Sequence, residues 1–274
     1  MKINNEKKPE AGNKLYENLF NNRDDFITIK LISDGLLAIK GNIARLLDDV
    51  CLLTKKNKFS SAHFLLTTAN EEISKLYILL DMCRLDFKKY ESVLRCLCRA
   101  FYDHVLKHSY IEIQRLNWGY DFSQIQEIWG NETRKWWASD AIESGEPDIP
   151  HDTYFSREMP LYVDYIEYDK KWHSPSNKKE SYHFEEMFGQ DALSISKQHL
   201  NIINTTDDMG LFLPQSLSIL HSIFEKKYIS NNINNDDLKN LYIKVNEKMN
   251  KDLDITVNLF ETIIFSIPLY HFLT

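Results

Sequence analysis

Glycine and proline are scarce in this sequence, with 8 Gly and 7 Pro in 274 residues. Average usage would place roughly 12% of a chain in those two residues together. The shortage of turn-formers therefore excludes a many-stranded sandwich, a barrel or a Gly-rich phosphate loop, and the expected fold class is all-α. Cysteine is sparse too: Cys51, Cys83, Cys96 and Cys98 stand at positions of a helical core and form no CxxC pair, which argues against a disulfide scaffold. A reducing, cytoplasmic setting is expected. An excess of positive charge is also missing, because 33 basic residues face 40 acidic ones for a net charge of −7. Any nucleic-acid contact must come from a local patch. Finally, there is no clean apolar run of about 20 residues. The stretch from Ile255 to Leu273 carries Asn258, Glu261, Pro268 and His271, and is expected to form a buried terminal helix. The opening MKINNEKKPEAGNK has charge but no apolar run behind it, so it is expected to be an arm, with neither a signal peptide nor a membrane partner.

What is present is an ordinary foldable balance, 43% hydrophobic and 27% charged, with no internal repeat. Ser33 or Asp34 can cap a helix in which Leu36, Ile39, Ile43, Leu46, Leu47, Val50 and Leu53 recur at spacings of three and four until Lys55 to Lys58 break the pattern. Ser60 and Ser61 offer a second cap, followed by Leu65, Ala69, Ile73, Leu76, Leu80 and Cys83. A third helix is expected from near Asp86 through Tyr90, Leu94, Leu97, Phe101 and Val105 towards Leu116. Short links between the three predict an up-and-down antiparallel bundle. From Trp118 to Glu180 the texture changes to five tryptophans and four prolines, which predicts short helices and long loops, GEPDIPHDTYF and WHSPSNKKES among them. Helical patterning returns at Phe184 to Ile203, Pro214 to Tyr228 and Asp236 to Phe265.

The expected third helix holds seven Lys or Arg between Arg84 and Arg115 against four acids, a locally positive segment in an acidic chain. Within it Arg99 and His104 form an RxxxxH pattern, with Arg95, Lys107 and His108 close by. A guanidinium grips phosphate bidentately, and an imidazole titrating near neutrality can take a 2′-hydroxyl proton or protonate the leaving oxygen. The competing reading is structural. On one ideal helix Arg99 and His104 point roughly 140° apart, Arg99 can pair with Asp103 on a solvated face, and His108 lies in line with core positions. His104 and His108 are four apart, a metal-ligand spacing, but HVLKH lacks the Glu of HExxH and nothing near supplies a third ligand. No metal or other cofactor is expected. His173, His183 and Asp191 show no spacing that speaks for chemistry. On the second helix Glu71 precedes Lys75 by four residues, the orientation of an exposed ion pair. Glu72 falls near the apolar stripe and needs a cation, for which the basic third helix is the nearest source, either as structural pairing or as site organisation.

The run ARLLDDVCLLTKKNKFSSAHFLLTTANEEISKLYIL followed by RAFYDHVLKHSY resembles the AbiV branch of the HEPN superfamily over roughly residues 33–117. In that branch a Glu-Glu-x-Gly-Lys element precedes a helix with a basic and histidine motif; here it is Glu71, Glu72, Ile73, Ser74 and Lys75, with Ser74 where Gly is usual. The resemblance implies a helical bundle that dimerises, opposed RxxxxH motifs, metal-independent RNA cleavage in many members, and abortive infection as the setting. On that basis Arg99 would grip phosphate and His104 would be the acid or base. Arg95, Lys107 and His108 would contact RNA, with Glu71, Glu72, Lys75 and Asp103 supporting the site. Ala100 follows Arg99 where HEPN nucleases commonly have a polar residue. The expected organisation is an arm and short helix over 1–32, a HEPN-like core over 33–117, a loop-rich aromatic segment over 118–180 and C-terminal helices over 181–274. Two function classes follow: a dimeric ribonuclease effector of anti-phage defence, or a non-catalytic helical sensor or inhibitor that binds a phage-encoded or host protein and blocks translation. The aromatic segment motivates the second.

Overall fold

The computed structural model describes residues 7–21, 23–114, 122–132, 160–161, 163–166, 171–173, 175, 190–225, 235–256, 262, 266 and 268–270. Among them the chain is all-α. The elements in order are α1 (Lys7–Phe20), α2 (Asp25–Lys55), α3 (Phe59–Cys83), α4 (Glu91–Ala100), α5 (His104–Gln114), α6 (Phe122–Glu132), α7 (Gln190–Asp208), α8 (Pro214–Phe224) and α9 (Asn235–Leu253). Between α6 and α7 a minimal antiparallel ladder pairs β1 (Asp164–Ile166) with β2 (Lys171–His173). The expected loop GEPDIPHDTYF lies outside the described residues, as does most of WHSPSNKKES beyond Trp172, His173 and Pro175.

The long central pair is α2 and α3. Their link, residues 56–58, turns at Asn57, whose φ of 56° is a left-handed conformation that asparagine accepts more readily than most residues. Gly35 faces Leu79 across the pair, where a Cβ would lie 3.1 Å from Leu79 Cδ1, as an antiparallel hairpin through that turn requires. The apolar stripe of α2 is buried from Ile29 to Val50, and residues 76–83 of α3 are buried on every side. α2 begins earlier than its expected Ser33 or Asp34 cap. Asp24 caps it by accepting from the Phe26 N–H at 2.9 Å, and Thr28 Oγ1 donates back to Leu19 O at 3.0 Å. Ser33 is inside the helix and donates to Phe212 O at 2.6 Å, tying α2 to the turn before α8.

The expected third helix is two helices. Asp86 accepts from the Lys88 and Lys89 N–H groups at 2.9 and 3.0 Å, holding a turn that delays α4 until Glu91. A second turn at 101–103 separates α4 from α5, because Asp103 Oδ1 accepts from the Val105 and Leu106 N–H groups at 3.0 and 3.2 Å and starts a new helix. The direction of α5 follows. Its contacts with α3 rise together along both chains (Glu71 with His104, Ser74 with Lys107, Asp81 with Tyr110), so α5 runs parallel to α3. An uninterrupted third helix would have run antiparallel.

At the amino end the expected arm is already helical from Lys7. Gly12, Tyr16 and Phe20 form the face of α1 that packs on α4, with Arg95 over the Tyr16 ring at 3.9 Å and Phe20 against Phe87 at 5.3 Å. At the other end α9 stops at Leu253, where Asp254 takes a φ of 56° and the Ile255 N–H reaches back to Met249 O. The expected terminal helix is therefore not what the described residues there form, although Leu269 and Tyr270 are fully buried. They are held by an interior polar cluster. Asp81 accepts from the Leu269 N–H at 2.8 Å and from Tyr110 Oη at 3.1 Å, and Arg84 pairs with Asp81 at 2.5 Å and donates to Ser266 Oγ at 3.0 Å. Burial pushes the Asp81 carboxyl up, against the pull of Arg84 and these donors. No helix among the described residues is long and apolar enough to cross a membrane.

Candidate active site

Two helices build the site. α3 contributes Glu71, whose side chain is 8% exposed, and α5 contributes His104 from its first residue and Lys107 one turn later. Positions i and i+3 share a helix face, so both reach the same carboxylate. Glu71 Oε1 lies 2.8 Å from His104 Nδ1 and Oε2 lies 2.6 Å from Lys107 Nζ. Burial alone would raise the Glu71 carboxyl. The hydrogen bond from His104, the Lys107 charge and the His104 charge outweigh it and hold the group at about 2. Glu71 is thus ionised and can only accept. Nδ1 of His104 must therefore carry the hydrogen in this contact.

Beneath this contact Ser74 Oγ sits between two carbonyls, Lys107 O at 2.5 Å and Asn70 O at 3.0 Å. With one hydrogen to give, it donates to the nearer and clamps α5 against α3. Asn70 Oδ1 in turn accepts from Ser196 Oγ at 2.8 Å, and Tyr77 meets His199 Nδ1 at 3.1 Å, so α7 braces the adjoining face of α3.

The two carboxylates exchange the roles their spacing implied. Glu71 is the buried one, paired to α5, while Glu72 pairs with Lys75 at 2.5 Å and Lys75 sits over the Phe101 ring at 5.1 Å. The apolar stripe through Ala69, Ile73 and Leu76 did not reveal this, because α3 has a second covered face, through Glu71, Ser74 and Ile78, that meets α5. Lys107, expected at an RNA surface, is 3% exposed and committed to Glu71. Arg95, given the same expected role, pairs with Glu91 at 2.8 Å and stacks on Tyr16. His108 is half-buried on α5.

Arg99 is exposed on the last turn of α4. Its backbone lies hard against α1: a Cβ at Gly12 would stand 3.0 Å from Arg99 Cα and 3.1 Å from its N. Asp103 does not take the expected ion pair with Arg99, since its carboxylate caps α5. The 101–103 turn also removes the objection that the two motif residues diverge around one helix. Two members of the seven-residue positive segment are buried, Arg84 on Asp81 and Lys107 on Glu71, and Arg115 lies outside the described residues. Lys88, Lys89 and Arg99 stay exposed. Among the described residues no three His, Cys, Asp or Glu are grouped to hold a metal ion.

A family model for AbiV proteins of the HEPN type matches residues 31–195, well over half of the chain. The chain belongs to the AbiV family of HEPN proteins. The match runs from within α2 through α3, α4, α5 and α6 into the start of α7, so Glu71, Ser74, Arg99, His104 and Lys107 all lie inside it, while Ser196 and His199 lie just beyond. No curated protein and no solved structure matches the chain.

Proposed function

We propose that this AbiV-family chain is an effector of abortive infection that cleaves RNA without a metal ion, as a cytoplasmic homodimer. In this reading Arg99 binds the scissile phosphate and His104 Nε2 accepts the 2′-hydroxyl proton or returns a proton to the leaving 5′-oxygen. The 2′-oxygen attacks phosphorus, the bond to the 5′-oxygen breaks, and the products carry a 2′,3′-cyclic phosphate and a 5′-hydroxyl. The observation that carries the reading is the buried, ionised Glu71 holding His104 by Nδ1. A carboxylate behind an imidazole fixes its tautomer and steadies the imidazolium formed on proton transfer. An exposed guanidinium stands across a three-residue turn from it. The second subunit would bring its own pair opposite, and a phage-encoded or host protein would be the trigger.

Arg99→Ala and His104→Ala should each abolish degradation of total RNA by the purified protein and its toxicity in cells, while a chelator leaves the parent active. Both variants remaining as active as the parent would contradict the assignment.

The second reading, a non-catalytic module that binds a phage or host protein, is favoured by Ala100. It is fully buried directly after Arg99 and supplies no polar group there. Capture of a protein from infected cells by a chain that leaves RNA intact would support it.

A further inference from the structure

We propose that Tyr102 is a base-stacking platform which, with Arg99, holds one unpaired nucleotide of a single-stranded RNA, the ring meeting the base and the guanidinium its phosphate. The proposal rests on the ribonuclease reading for the strand being a substrate, and its test separates the two.

Tyr102 stands in the turn that divides α4 from α5, three residues after Arg99 and two before His104. Among the described residues the exposed aromatic side chains are Phe26, at the start of α2, and Tyr102, 36% open to solvent. One exposed ring is ordinary on a protein surface, but this one has a fixed footing. The Tyr102 N–H donates to Arg99 O at 3.0 Å and the Asp103 N–H to Ala100 O at 3.1 Å, and Asp103 then caps α5. The Tyr102 ring meets Phe101 edge to face, with centroids 5.5 Å apart at 67°, and Phe101 packs on the core with Lys75 over its ring. A platform held in this way loses little freedom when a base settles on it.

Arg99 supplies the second half. Its stem lies against α1, where a Cβ at Gly12 would stand 3.0 Å from Arg99 Cγ. Among the described residues no carboxylate pairs with its guanidinium, whereas Arg95 is taken by Glu91, Lys75 by Glu72 and Lys88 by Asp25. Both Arg99 and Tyr102 are exposed, and a turn closed from the first to the fourth residue brings their Cα atoms within about 7 Å. A cation and a ring so close match a nucleotide, which offers a phosphate to the one and a flat base to the other. Burial, with Cys98 second in effect, pushes the Tyr102 phenol up, so the ring stays neutral beside that phosphate. Only a base free of its pairing partner can lie on a side chain, which points to a single strand.

The test is binding of the full chain to a short, unstructured RNA strand with fluorine at every 2′ position, which has no 2′-hydroxyl to attack, followed by fluorescence anisotropy. Tyr102→Ala should weaken binding by about fivefold or more, the lower end of what one stacked base contributes. Tyr102→Phe, which keeps the ring, should bind close to the parent, and Tyr102→Trp at least as tightly. The same strand annealed to its complement should bind the parent more weakly and should not respond to Tyr102→Ala. On the corresponding 2′-hydroxyl strand Tyr102→Ala should raise KM more than it lowers kcat. The proposal is overturned if Tyr102→Ala binds like the parent, if Tyr102→Phe loses as much as Tyr102→Ala, or if the parent binds no single strand. Ring-dependent binding by a chain that never cleaves RNA upholds the platform and removes the ribonuclease reading. Cleavage that Tyr102→Ala leaves untouched removes the platform and lets that reading stand.

Discussion

Ser74 donates its hydroxyl to the carbonyl oxygen of Lys107, 33 residues on, and so fastens α3 to α5 directly below the Glu71–His104 contact. Both groups are buried, and the resemblance to AbiV leads one to expect glycine at this position. Ser74→Ala leaves the Lys107 carbonyl without this donor, and should lower stability by about 1 kcal/mol. A shift of the urea midpoint with an unchanged m-value checks it. Faster amide exchange should be confined to the start of α5.

Asp103 starts α5 by capping two N–H groups. Asp103→Ala should cost about 1 kcal/mol, and Asp103→Asn or Asp103→Ser much less. Because His104 is the next residue, the alanine variant should also lower RNA cleavage more than Ser74→Ala does. Thermal unfolding and a cleavage assay on the same preparations check both effects.

The third helix shows how far the sequence could be read. Its apolar spacing from Tyr90 to Val105 is continuous, so periodicity alone joins α4 to α5. The break is encoded in a capping residue, Asp103, whose preference for a helix start is legible but competes with a plausible ion pair to Arg99. The α2–α3 hairpin was readable in its apolar stripes, its break near Lys55 to Lys58 and its short link, but not in the start of α2, which Asp24 caps ahead of the expected Ser33 or Asp34. Glu71 and Glu72 were readable as a pair of carboxylates but not in their order of burial, which depends on the direction of α5. Lys107 gave no local sign that it would be buried, because its partner lies on another helix. The interior cluster of Asp81, Arg84 and Tyr110 also escaped notice, as its outer members, Ser266 and Leu269, come from the far end of the chain.

Acid should weaken the fold through Glu71. Its carboxyl is held at about 2 in the folded chain against an ordinary value of 4.5, so its contribution is complete above that value and is lost as pH falls from 4.5 towards 2. The lowering amounts to on the order of 3 kcal/mol. Stability measured across this window should fall more steeply in the parent than in Glu71→Gln, which has no carboxyl to protonate.

Gly12 permits α1 to approach α4 at Arg99. A Cβ there meets the Arg99 backbone, which cannot swing aside as a flexible side chain would. Gly12→Val should cost about 1–3 kcal/mol by overpacking, and should expose α1 to limited proteolysis while α2 and α3 stay protected.

The four thiols should separate by reactivity. Burial pushes the Cys83 and Cys98 thiols up to about 12, whereas Cys51 and Cys96 are partly exposed. Alkylation of the native chain, located by mass spectrometry, should mark Cys51 and Cys96 first and reach Cys83 and Cys98 only on unfolding.

In the proposed function, His104, oriented by Glu71, and Arg99 cleave RNA through its own 2′-hydroxyl. The most direct measurement uses a single-stranded RNA and the same strand with one 2′-deoxy sugar at the mapped cleavage position, incubated with the purified chain in excess chelator. The first should be cleaved to 2′,3′-cyclic phosphate and 5′-hydroxyl ends, the second should stay intact at that position, and both products should be lost in His104→Ala. Cleavage of the deoxy strand at the same place, or undiminished cleavage by His104→Ala, would contradict it.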